Sequence, residues 1–193
     1  MILCPFTTST IIMLSKITLA TLLATAHAWL PDADKIRGVN LGSQFIIERW
    51  MAESSWESIG CNAYNDEWAC VEGIGQEKAD AGFKKHWDTW TTEADIKQIK
   101  DIGLNTVRIP VGFWIRESLV NDDEHYPRGG LPYLDRLVGW CRKYGIYVIM
   151  DLHAAPGVQT PNEQFTGHVR YKRPERGRIL FDCIKLTHGI VCA

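Results

Sequence analysis

Two short apolar runs in this chain end in side chains that can do chemistry. Asn105-Thr106-Val107-Arg108-Ile109-Pro110-Val111-Gly112 carries a guanidinium, and Ile149-Met150-Asp151-Leu152-His153-Ala154-Ala155-Pro156-Gly157 carries a carboxylate and an imidazole two residues apart. An apolar run with a polar, charge-bearing tip is how a buried parallel strand delivers a functional group to the carboxyl end of a sheet or barrel. Each group also has a plain structural reading. Arg108 can serve in an ion pair, and a lone histidine after an apolar strand is often structural.

The elements that must position these groups follow a repeating order. Lys35 to Leu41 reads as a first strand, and Phe45 to Met51 as a structured loop or short helix. Ser54 to Glu72 is polar and Trp-bearing, and reads as a long loop. Gln76 to Trp90 is helical, with Ala79, Phe83, Trp87 and Trp90 forming one stripe at the helical period. Thr92 and Asp95 have capping-box spacing for a helix that buries Ile96, Ile99 and Ile102 and stops at Gly103. Thr106 to Val111 is the second strand, with Pro110 expected to close its pairing. Pro132 opens a helix whose apolar face includes Leu134, Leu137, Val138 and Cys141, and Gly145 ends it. Ile146 to Leu152 is the third strand. Strands alternating with helices predict a parallel α/β sheet with right-handed crossovers.

The bulk properties narrow the function classes. At 193 residues the chain is long enough for one domain. A formal net charge of -2 favours neither a nucleic-acid nor a membrane-surface partner. Tryptophan is abundant, with eight residues, which suits a Trp-rich core or stacking on sugar rings. Lys16, the apolar run Ile17 to Thr25 and Ala26-His27-Ala28 predict a secretion signal over residues 1–28, with residues 1–12 an over-extended start before Met13. The apolar run is too short for a membrane span. Secretion allows disulfides, and Cys61 and Cys70, flanking a short polar loop, are expected to bridge. Cys141 is expected to be a buried free thiol, and the cysteine spacings do not look like a metal site.

Four stretches, in order, resemble glycoside hydrolase family 5: Arg37-Gly38-Val39-Asn40-Leu41-Gly42, Ile47-Glu48-Arg49-Trp50-Met51, the Arg108 run and the His153 run. The resemblance runs from about Ile36 to His168. Gly75 to Asp80, His125 to Gly130 and Phe165-Thr166-Gly167 are more similar to the endo-β-1,6-glucanase branch than to the exo-β-1,3-glucanase branch. The resemblance implies a (β/α)₈ barrel, of which residues 29–168 would hold about strands 1 to 3. It implies retaining hydrolysis of cell-wall β-glucan by a secreted monomer, with no cofactor or metal. That chemistry needs an acid/base and a nucleophile about 5–5.5 Å apart. In the family these are glutamates at the ends of the fourth and seventh strands, and neither has a counterpart here, so this chain is expected to be inactive by itself.

The resemblance also assigns roles. Arg108 matches the arginine that orients the nucleophile, as a forked, permanently charged donor can. His153 matches the histidine that contacts sugar hydroxyls. Glu48 matches a glutamate that binds sugar from the first loop, although relatives commonly have proline where this chain has Arg49, and that arginine is positioned to pair with Glu48. Trp114, beside Phe113, is a candidate sugar platform with packing as its alternative. Asp151 is read as a loop anchor, Glu163 as solvated, and Trp56 and Trp68 as undecided. An exo-β-1,3-glucanase or a cellulase-like enzyme of the same family is the alternative activity. A non-catalytic glucan-binding remnant or a non-functional truncated product is the alternative class.

Residues 169–193 break the pattern. They carry six basic residues against two acidic ones, show no continuing strand–helix rhythm, and are expected to be an aberrant, disordered tail. Val169-Arg170 can be encoded by GTACGT, which suggests a retained intron or a mis-called gene. Three strands without closure would leave an open edge, so the polypeptide is expected to be unstable.

Overall fold

The computed structural model describes residues 35–156 and 162–169, and two strands at 184–186 and 189–191. The chain divides at Lys35 and Ile36, and every described element belongs to the second unit. The expected signal over residues 1–28 lies outside the described residues.

A parallel sheet runs β1 (Gly38–Asn40), β2 (Thr106–Gly112), β3 (Tyr147–Ala154), with β2 in the middle. Helices α1 (Glu53–Ile59), α2 (Glu67–Ile74), α3 (Gln76–Thr89) and α4 (Glu93–Asp101) lie between β1 and β2, and α5 (Leu131–Lys143) lies between β2 and β3. Side chains alternate along a strand, so Val107, Ile109 and Val111 point one way, and all three are fully buried. They share a core with Ile96 of α4 and with Leu134, Leu137 and Cys141 of α5. Burial pushes the Cys141 thiol up to about 12, which leaves it inert.

The helix boundaries follow local chemistry. Thr92 and Asp95 form a reciprocal capping box at the start of α4: the Asp95 N–H donates to Thr92 Oγ1, and the Thr92 N–H to Asp95 Oδ2 at 2.7 Å. Gly103, at φ 86°, turns the chain out of α4. The stripe expected on α3 is buried at Ala79, Phe83 and Trp87, while Trp90 is half-buried and donates from Nε1 to Gly42 O at 2.9 Å.

Three expectations are corrected. Ile102 is not buried by α4, because it stands at the C-cap beyond the packed face and is 67% exposed. Ser54 to Glu72 is not a long loop, because it contains α1 and the start of α2. Cys61 and Cys70 are bonded, with their Cα atoms 5.2 Å apart. The bridge holds together Trp56, Ile59 and Val71, which pack in the main core. Asp66 caps α2 by accepting from the Ala69 N–H at 2.7 Å. Pro110 does not close strand pairing either, since β2 continues beside β3 through Gly112. Leu41 N donates to Arg108 O, so the Arg108 and Pro110 backbone groups face β1. β1 ends before Pro110, so its missing N–H costs no ladder bond.

In the segment expected to be a disordered tail, β4 (Ile184–Leu186) and β5 (Gly189–Val191) pair antiparallel. Residues 170–183 lie outside the described residues.

Candidate functional site

The second face of the sheet carries the polar groups. Register places Asn40 beside Arg108 and Arg108 beside Ile149, and alternation puts Asp151 and His153 on the same face as Ile149. Arg108 and His153, distant in sequence, are thereby brought together. Arg108 Nη2 donates to Asp151 Oδ2 at 2.5 Å, and its Nη1 donates to Asn40 Oδ1 at 3.4 Å. The same Asp151 oxygen lies 2.8 Å from His153 Nδ1. The carboxylate can only accept, so Nδ1 carries a proton, and in the neutral ring Nε2 is left as an acceptor. Arg108 Nη2 and His153 Nδ1, 3.3 Å apart, are two donors sharing one acceptor. Asp151 is therefore the hub of the cluster as well as part of a strand tip. The signal for it was its two-residue spacing from His153, which puts both on one face.

Glu48 stands on the loop after β1, and that loop is fixed from below. His86 Nε2 lies 2.7 Å from Ser43 O and donates to it. Gln44 Nε2 donates to Trp87 O at 3.1 Å, and the Ile47 N–H donates to Glu67 Oε1 at 2.7 Å. Glu48 N donates to Ser43 Oγ at 3.0 Å. Glu67 is completely buried. Burial pushes its carboxyl up to about 8; the Ile47 hydrogen bond opposes this and neighbouring Asp66 adds to it. Glu67 therefore holds the loop as a neutral acid at pH 7. Burial also depresses the His86 pKa, against the hydrogen bond to Ser43, so the ring is neutral. Sequence reasoning missed Glu67 because an acid at the first turn of a helix normally reads as solvated.

The Arg49 side chain meets Glu53 at 4.0 Å, and Glu48 instead accepts from Trp50 Nε1 at 3.0 Å. The anticipated pairing of Arg49 with Glu48 is thus replaced by an indole contact that leaves Glu48 half-buried at the surface.

Trp114 takes the packing role and not the platform role. It is 2% exposed and stacks on Tyr126 with ring centroids 4.2 Å apart. Gly112 and Gly167 flank the indole so closely that a Cβ on either would overlap it. Trp114, Phe113, Tyr126, Ile46 and Ala154 form a separate core under the loops at the carboxyl end of the sheet. Trp56 is also core, while Trp68 stacks on His168 at 4.1 Å. The segment carrying His168 is tied down further by Trp68 N to Gly167 O at 3.0 Å and Val169 N to Asp66 Oδ2 at 2.8 Å. Its Phe165 ring lies 5.2 Å from the His153 ring. Glu163 is exposed, as expected, but lines a groove with Glu48 and Trp50.

Among the described residues no group of three or more His, Cys, Asp or Glu side chains is arranged to hold a metal, and no helix is long and apolar enough to cross a membrane. The arrangement is suited to an uncharged polyol. It offers a fixed cation, an oriented imidazole and a carboxylate on one accessible face.

The family model described as Cellulase (glycosyl hydrolase family 5) matches residues 71–173. The chain is 52% identical over 145 residues to glucan endo-1,6-beta-glucosidase B of Emericella nidulans, covering 75% of this chain and 36% of that protein. It is 47% identical over 167 residues to a probable glucan endo-1,6-beta-glucosidase B of Neosartorya fischeri, covering 77% and 42%. The chain thus spans about two fifths of the length of these curated relatives. Among solved structures, rutinosidase from Aspergillus niger superposes with a TM-score of 0.60 at 25% identity, over 69% of this chain and 36% of that one.

Proposed function

The chain belongs to glycosyl hydrolase family 5, and on that premise we propose that it is the substrate-orienting part of a secreted, retaining endo-β-1,6-glucanase acting on cell-wall glucan. The observation that carries the reading is the Arg108–Asp151–His153 cluster on one open face of a parallel sheet. The sheet is read as the first three strands of a (β/α)₈ barrel, whose chemistry sits at the carboxyl ends of its strands. The similarity to two relatives named for endo-1,6 action supports the β-1,6 linkage.

In this reading Arg108 steadies the negative charge of the nucleophile. A guanidinium already held by Asp151 and Asn40 needs little reorganisation to do so. His153 accepts or donates to a sugar hydroxyl through Nε2, and Glu48 accepts from sugar hydroxyls on the loop side. The acid/base and nucleophile would come from glutamates on strands four and seven of the complete barrel. Residues 1–28 would be the leader, residues 29–168 the barrel segment and residues 169–193 a tail outside it. The secreted protein would be a monomer free of cofactor and metal.

The test is hydrolysis of pustulan and laminarin by the secreted protein that carries this segment, with the anomer followed by NMR. Faster release of sugar from pustulan with the β-anomer formed first is expected. Faster action on laminarin would move the activity to β-1,3-glucan. Sedimentation with insoluble glucan and no sugar released would replace the enzyme reading with a binding one.

A further inference from the structure

We propose that the groove beside the Arg108–His153 cluster is a second sugar subsite, with Trp50 as its stacking platform for a neutral hexopyranosyl unit. The inference rests on the glucan reading above and adds a residue and a location to it. Trp50 is 74% exposed, the most exposed of the large apolar side chains among the described residues. It is nonetheless held, since its Nε1 donates to Glu48 Oε2 at 3.0 Å. An indole anchored by its polar edge keeps its ring surface available for the apolar face of a sugar.

The surrounding shape fits a sugar unit. Trp50 and Glu48 form one wall of a groove of about 550 Å³, and Gln164 and Phe165 form the other. That volume lies within the range of small-ligand sites. The walls are joined by the Arg49 N–H donating to Gln164 Oε1 at 3.3 Å, so their spacing is set by the fold. Phe165 also faces His153, with ring centroids 5.2 Å apart, so this ring links the groove to the polar cluster. A chain bound at His153 therefore has its next unit directed along Phe165 toward Trp50.

Charge selects the ligand. Glu48, Glu53 and Glu163 line the groove against one cation, Arg49, which already faces Glu53. Such a wall accepts hydrogen bonds from hydroxyls and repels carboxylated sugars. Neutral glucan is admitted and polyuronate is refused.

Titration of the chain with β-1,6-linked glucose oligomers of two, three and four units, read by calorimetry, tests this. The expected result is affinity that rises with length in the wild type. In Trp50→Ala that rise is lost, with about tenfold weaker binding of the longest oligomer, and in Trp50→Phe most of it is kept. An oligogalacturonate of equal length should not bind. An unchanged melting temperature is expected for both variants and separates lost binding from lost folding. If Trp50→Ala binds every length as the wild type does, the subsite is overturned while the glucan reading stands. If the folded wild type binds no glucose oligomer, the underlying reading falls as well.

Discussion

The two faces of β2 carry residues that alternate one by one and obey different rules. Val107, Ile109 and Val111 on the helix-covered face are buried completely in an apolar core shared with residues of α4 and α5. Arg108, one residue away from two of them, is part-exposed and bound to Asp151 and Asn40 on the other face. The first face is held by packing, which tolerates little change of volume. The second is held by a shared carboxylate, which fixes direction and contributes little to stability. Stability and recognition are thus separated across one strand, a few ångströms apart.

The largest test of this separation is Ile109→Ala. A fully buried isoleucine should cost about 3 kcal/mol when truncated, measured by urea unfolding, with the oligomer affinity of the folded fraction unchanged. A cost of less than 1 kcal/mol would mean that the helix-covered face is not the stabilising one.

A larger effect, seated at the loop and not on the strand, is the pH dependence set by Glu67. In the folded chain this acid keeps its proton up to about pH 8, whereas its ordinary value is 4.5. Between those values the unfolded chain binds fewer protons than the folded one. Stability therefore falls as pH rises from about 4.5 to about 8, and levels off above. At about 1.4 kcal/mol per pH unit across that window, the loss should be roughly 5 kcal/mol. Glu67→Gln keeps an acceptor for the Ile47 N–H and should flatten the curve. An equally steep curve in the variant would assign the dependence to other groups.

On the open face, Arg108→Ala should change stability by about 1 kcal/mol or less, because both partners of its ion pair are in part exposed. Glucose-oligomer affinity should fall about tenfold or more, as expected for a lost charge-assisted hydrogen bond and a reoriented His153. A stability loss matching that of Ile109→Ala would erase the distinction between the faces. The smallest effect is expected from Asp88→Asn, which removes the surface pair with Arg136 at 2.7 Å. It should stay within about 0.5 kcal/mol in a thermal melt, and a larger shift would show that surface pairs support the helical layer.

Much of this was legible in the residues, and the parts that were not share a cause. The apolar run Thr106–Val111 and the Thr92–Asp95 spacing are local properties, and β2 and the capping box formed over them. Arg108, His153 and Glu48 were found through family resemblance. The assembly of Arg108 and His153 around Asp151 depends on strand register, which no single stretch encodes. Trp114 departs from its expected place for a similar reason. Trp114 follows a strand tip but is covered by Tyr126 and Gly167 from later in the chain. Trp50 looks like an ordinary loop residue and is left open. Likewise α1 and α2 were hidden by polar composition, because the residues that make them amphipathic are few and depend on α3 and the Cys61–Cys70 bridge to become core.

The contact between Arg108 and Asn40 spans 68 positions, and that separation has a consequence for synthesis. At typical ribosomal rates, on the order of 3 to 14 s pass between the emergence of β1 and that of the strand it pairs with. Among the described elements, the helices from Glu53 to Asp101 are the folding partners made during that interval. The bonds from His86 and Glu67 to the Ser43–Ile47 loop are the means by which that stretch can hold the growing chain in place. β1 is therefore placed by helices before it is placed by the sheet.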